Sequence, residues 1–161
     1  MGGGRDTDTE RRRRFASEPF AVLATHGPDD RLDLVPCCFA VVDHEQGPEV
    51  VSAVDHKPKR HQKLARLANI ARNANVAVIV DHRDLDDWSA LWWVRVQGRA
   101  TVIDAGPARG HAIRALAEKY PQYQAVPPQG PVIRIRDLHW SGWVPEPFDQ
   151  FAGRPGDDRA S

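Results

Sequence analysis

Cysteine is scarce in this chain: two among 161 residues, standing side by side as Cys37 and Cys38. Adjacent side chains of a strand point to opposite faces, which argues against a mutual disulfide, and two thiols alone fall short of a zinc site. Both read as small core or cofactor-wall residues. The seven histidines have no HExxH-type or CxxC-partnered spacing, so no metal is expected. Gly-x-Gly-x-x-Gly and Walker-type phosphate loops are absent, and so is a Gly-x-Ser-x-Gly nucleophile elbow. No apolar run approaches the roughly 20 residues that span a bilayer, so no membrane partner is expected. The start, Met1-Gly2-Gly3-Gly4-Arg5, lacks the apolar stretch of a secretion signal, and the expected compartment is the cytoplasm. An excess of one charge is missing too. With 22 basic and 22 acidic residues the chain is formally neutral, which argues against wholesale nucleic-acid binding.

What is present is a local charge imbalance. From His56 to Arg72 there are six Lys or Arg, two His and no acid. Pro58 suits the first position of a helix, and Lys57 before it is biased to extended backbone. Lys57, Lys59 and Arg60 therefore crowd a helix N-terminus, where the macrodipole disfavours cations. A bound phosphate would reverse that sign, because free N–H groups, dipole and side chains would converge on one anion. A solvated helix face is the other reading, and charge pattern alone leaves the two even.

The remaining chain reads as one domain able to bury a core, residues 15–147, with a flexible basic tail over 1–14 and a flexible C-terminal tail over 148–161. Arg11 to Arg14 would encircle a helix and make no single face, so solvation is favoured over a nucleic-acid arm. Phe15 and Phe20 are expected to dock this segment on the core. Strands are expected at 20–25, at 32–42 with Pro36 forcing a bulge or an edge, and at 49–55. The basic helix follows, with Leu64, Leu67, Ala68 and Ala71 on one face, ending near Asn73-Ala74-Asn75, where Asn suits a left-handed cap. Strands over 76–80 and 91–103 flank an acidic loop, 81–90, read as a solvated turn and not as a calcium loop. Gly98 marks a bulge. Trp88, Trp92 and Trp93 imply heavy burial in a core or an interface. A helix over 107–120, an irregular loop over 121–131 and a last strand from Val132 complete the order, which favours a mainly β, closed antiparallel barrel with flanking helices.

The segments Leu32-Asp33-Leu34-Val35-Pro36, Val54-Asp55-His56-Lys57-Pro58-Lys59-Arg60, Asn69-Ile70-Ala71-Arg72-Asn73, Asp87-Trp88-Ser89 and Leu91-Trp92-Trp93-Val94-Arg95-Val96-Gln97-Gly98, in that order, resemble the pyridoxamine 5′-phosphate oxidase-like (PPOX class) split-barrel superfamily. Within it they are similar to an actinobacterial branch of deazaflavin (coenzyme F-420) dependent oxidoreductases. The resemblance implies a six-stranded antiparallel split β-barrel of the FMN-binding type and a homodimer with cofactor sites at the subunit interface. It implies that Lys57, Lys59 and Arg60 hold the cofactor phosphate, with Lys63 and Arg66 as the alternative cations. It further implies that Ser52, Val54 and His56 line the approach, that Val35, Pro36 and Cys37 lie beside the ring, and that Trp140 or Trp143 comes from the partner subunit. The reaction it implies is hydride transfer from reduced coenzyme F-420 to a small organic acceptor, with the cofactor carrying the chemistry. FMN is the alternative cofactor, and a non-catalytic flavin or deazaflavin carrier the alternative role. No side chain is required as a nucleophile; His56 is the one candidate proton donor, since imidazole titrates near neutrality.

Overall fold

The computed structural model describes residues 7–54 and 60–145, of which 60–64 by backbone alone. In chain order the elements are α1 (Asp8–Ser17), β1 (Ala21–His26), β2 (Leu32–Cys37), β3 (Ala40–Val42), β4 (Glu49–Ala53), α2 (Arg60–Arg72), β5 (Asn75–His82), β6 (Trp92–Ile103), α3 (Pro107–Lys119), α4 (Pro121–Ala125) and β7 (Val132–Trp143). All strand pairs are antiparallel, in the order β2-β1-β5-β6-β7-β4-β3. The strands at the two ends of that order, β2 and β3, are consecutive in the chain. Three peptide units from Cys37 to Ala40 reach about 11 Å at most, so the sheet must curl until its edges nearly meet. The split barrel follows from that connection.

The expected second strand is thus two strands, and the count is seven instead of six. The break falls at Cys38 and Phe39, past Pro36. Phe39 takes no ladder partner; its N–H donates to the Tyr120 hydroxyl at 2.9 Å, while the hydroxyl lies 2.9 Å from the Phe39 carbonyl and 2.8 Å from that of Pro19. One phenol satisfies the corner. Pro36 sits opposite Val22 on an edge strand, where its missing N–H leaves no ladder bond unmade.

Inside the barrel, Phe15, Leu23, Phe39, Val50, Val78, Val94, Val96 and Ile133 form the main core; a second cluster joins β3 and β4 to Ala112, Leu116 and Tyr120 of α3 and its cap. Helix α1 starts earlier than a tail over 1–14 allows. Thr7 and Glu10 form a reciprocal capping box, and the helix carries Phe15 into the core, edge-on to Phe39 at 4.8 Å and Trp140 at 5.3 Å. Phe20, expected to dock beside it, is exposed. Residues 121–125 are helical and not irregular. Helix α2 ends without a left-handed residue: the Asn73 side chain accepts from Asn75 N–H at 3.0 Å, an Asx-type turn that replaces the expected cap. The residues before α2 and the C-terminal tail lie outside those described.

The bulge at Gly98 is present, as a register shift between Gln97 and Arg99 against β7. A Cβ there would stand 2.5 Å from the Arg136 carbonyl oxygen, so only glycine permits this approach. Of the tryptophans expected in a core or an interface, Trp92 packs half-buried against the main core and Trp93 is half-buried, while Trp88 is 70% exposed and takes no part in the core.

Candidate functional site

The site is built on the edge strand β2. Its residues alternate: Leu32, Leu34 and Pro36 face outward and are exposed, while Asp33, Val35 and Cys37 face in. Helix α2 packs on β1 and β6 and brings Ala65 and Arg66 beside this strand. Between them runs a groove of about 560 Å³ lined by Thr25, Arg31, Asp33, Val35, Pro36, Ala65 and Arg66 among others. Three residues expected at a cofactor site, Val35, Pro36 and Arg66, are therefore brought together from two distant stretches of chain.

Arg66 is the side chain that distinguishes the groove. Its Nε is buried and has no hydrogen-bond partner among the described residues. A buried donor without an acceptor costs free energy of about 1–3 kcal/mol, more when charged, and α2 supplies no acid to take the bond. The groove therefore carries an unmet demand for an anionic or acceptor atom, which fits a phosphate-bearing cofactor.

Cys37 closes β2 behind the groove. Burial pushes its thiol up from the ordinary range, countered in part by the Ser52 hydroxyl and by Arg66. Ser52 Oγ is itself buried and has no hydrogen-bond partner among the described residues. Ser52 and Val54 are both buried and do not line the groove, with Val54 N–H bonded to the Pro131 carbonyl at 3.1 Å. Trp140 packs on Phe15 within its own chain. Trp143 is the tryptophan of the pair left exposed, opposite Trp93 across β6 and β7. His56, Lys57 and Lys59 lie outside the described residues, as do the side chains of Arg60 and Lys63, although Arg60 and Lys63 belong to α2.

Two features escaped the sequence reading. The first is a polar network on the groove's wall. Asn69, 2% exposed, donates to Thr25 Oγ1 at 3.0 Å and to Asp33 Oδ2 at 2.7 Å, and accepts from Arg72 at 2.7 Å. An asparagine next to the apolar stripe of a helix was the available signal, since Asn favours caps over helix interiors. The second is Lys119. Its Nζ is buried without a hydrogen-bond partner among the described residues, 3.6 Å from the centroid of the Phe39 ring, and burial lowers it to about 8. Nothing in the sequence marks it, because a lysine ending a helix is ordinary.

In the acidic loop, two carboxylates bond its own backbone, and Asp81 pairs with Arg83. Asp84 accepts from Asp86 and Asp87 N–H at 2.9 and 3.1 Å, and Asp87 accepts from Ser89 N–H at 3.0 Å. Among the described residues no helix is long and apolar enough to cross a membrane.

Comparison with known proteins supplies the context for this geometry. The family profile described as Pyridoxamine 5'-phosphate oxidase matches residues 7–143. No curated protein matches. Among solved structures, a conserved hypothetical protein of Mycobacterium tuberculosis superposes with a TM-score of 0.66 at 20% identity, covering 96% of this chain and 92% of its own. A conserved protein of unknown function from Corynebacterium diphtheriae gives 0.59 at 23% identity, covering 84% and 92%. An FAD binding protein of Mycobacterium smegmatis gives 0.55 at 21%, covering 85% and 94%. At these identities the likeness shows a shared fold.

Proposed function

Since the chain belongs to the pyridoxamine 5′-phosphate oxidase family, we propose that it is an oxidoreductase that seats a phosphate-bearing flavin or deazaflavin in the groove between β2 and α2. The observation that carries this reading is the buried, unpartnered Nε of Arg66 on a helix that has no acid of its own. Coenzyme F-420 is the cofactor proposed. FMN is the alternative, and the likeness to an FAD binding protein supports a flavin equally well.

When bound, such a cofactor accepts and delivers a hydride; the protein's residues bind and orient it. Arg66, with the cations of the 57–63 stretch, holds the phosphate. Val35 and Pro36 offer an apolar wall to the ring, with Cys37 behind them. The thiol's raised pKa keeps it protonated near neutrality, so it adds no negative charge beside the cofactor. His56 is the proposed proton donor to the acceptor. The homodimer is proposed to form over the outward face of β2, where Leu32 and Leu34 are each 69% exposed beside Pro36.

The test is a titration of the purified protein with F-420 and with FMN, followed by absorbance and fluorescence. Tight binding of one cofactor is expected, and Arg66→Ala should weaken it by about 1.5–3 kcal/mol, the worth of one charge-assisted bond. Failure of both cofactors to bind overturns the reading. Turnover with a panel of quinones, enones and imines then separates an enzyme from a carrier.

A further inference from the structure

We propose that Asn69 is the positioning residue of this site: it holds Asp33, the one acid among the described residues of the groove, away from Arg66, so that the guanidinium stays available to the ligand's anionic group. This rests on the cofactor reading above, but on a different set of contacts.

Among the described residues lining the groove, the titratable ones are Arg31, Asp33 and Arg66, and Asp33 is the one carboxylate of that set. An acid and an arginine sharing a groove would ordinarily pair, and a paired Arg66 would be neutralised before any phosphate arrived. Asp33 is instead engaged elsewhere. Its Oδ2 accepts from Asn69 Nδ2 at 2.7 Å, and the same carboxylate lies against Gly27, where an added Cβ would stand 2.7 Å from that oxygen. The amide's second hydrogen goes to Thr25 Oγ1 at 3.0 Å, and its oxygen accepts from Arg72, whose Nη2 also lies 3.4 Å from the His26 carbonyl.

One buried amide thus ties β1, β2 and α2 together. Asn69 and Arg66 are three residues apart on α2, so the amide that fixes the helix's rotation also fixes the direction in which Arg66 leaves it. A neutral partner is required. A cation at 69 would neutralise Asp33 but add a charge to the wall, and a carboxylate would repel it. An apolar residue would free Asp33 for Arg66. Asparagine supplies two donors and an acceptor with no charge, and all are used.

The experiment measures the ratio of affinities for a phosphorylated ligand and its phosphate-free counterpart, FMN against riboflavin, and F-420 against its phosphate-free deazaflavin. Asn69→Asp removes the donors and repels Asp33; the swap Asp33→Asn with Asn69→Asp restores a donor–acceptor pair at unchanged net charge. The expected result is a fall of about tenfold or more in the ratio for N69D, the equivalent of one charge-assisted bond, with recovery in the swap. Asn69→Ser, which removes the amide without adding charge, should lower the ratio likewise and serves if N69D does not fold. A ratio unchanged in the folded variants, or equal loss of both ligands, overturns the proposal and leaves the cofactor reading standing. A wild-type protein that shows no preference for the phosphorylated ligand overturns both.

Discussion

Arg66 Nε and Lys119 Nζ, two of the buried side-chain nitrogens without a hydrogen-bond partner among the described residues, differ in whether the group can lose its proton. Arg66 cannot shed its proton, so its demand for an acceptor persists and points to a ligand. Lys119 can shed its proton, and lying against Phe39 it is lowered to about 8, chiefly by burial. The sign of the stability consequence follows from linkage. Between about 8 and the ordinary 10.5, the unfolded chain holds a proton on this lysine that the folded chain has lost. Folding is therefore opposed below that window and relieved as pH rises through it. Lys119→Met should raise the urea midpoint at pH 7, and the gain should shrink toward pH 10. Tyr120 acts the other way: burial, first among its causes, raises it to about 12, so it stabilises the fold until the unfolded phenol ionises near 10 and loses that contribution above it. Taking the difference between wild type and variant at each pH isolates the lysine, and a gain that is flat across pH would refute the assignment.

At the level of elements, what could be read from the chain was local. Gly98 inside a long strand signalled a bulge, and the bulge is there. Gly98→Ala should cost about 2 kcal/mol, an overpacking cost, in a denaturant melt, because its Cβ would meet a carbonyl oxygen that cannot move without disturbing β7. A cost near that of a surface glycine would show that the strands relax. The α3 helix was equally legible from its side-chain period, and proline's missing donor left a bulge or an edge for the strand holding Pro36, which is an edge. The face of α2 was not legible, since Ala68 and Ala71 of the expected apolar stripe are exposed while Asn69 and Ile70 are buried. The capping box of Thr7 and Glu10 is written locally too, as a Thr-x-x-Glu spacing ahead of the four arginines. The corner between β2 and β3 was not legible at all. It depends on a hydroxyl from Tyr120, eighty-one residues away, and no local propensity records that.

At the scale of the whole molecule, the exposed surface carries the information the single chain leaves unused. Leu32, Leu34, Ile79 and Trp143 lie on strands whose inner faces are already buried, and Trp88 projects from the acidic loop. An apolar face rimmed by polar residues is the pattern of an interface. Leu34→Lys should shift sedimentation from a dimer to the 18.0 kDa monomer while leaving the thermal melt cooperative. A wild-type protein that sediments as a monomer would remove the dimer from the proposal.

Taken alone, the sequence determined the periodicities, the breaks and the concentration of cations between 56 and 72, since each depends on residues within a few positions of one another. The tertiary structure decided which of the described cations lines the groove along β2. Arg66 is one of six by composition. It became distinct only because β2 passes beside it and Asn69 holds Asp33 in a bond of its own, and such an arrangement exists only once strands distant in the chain are brought together.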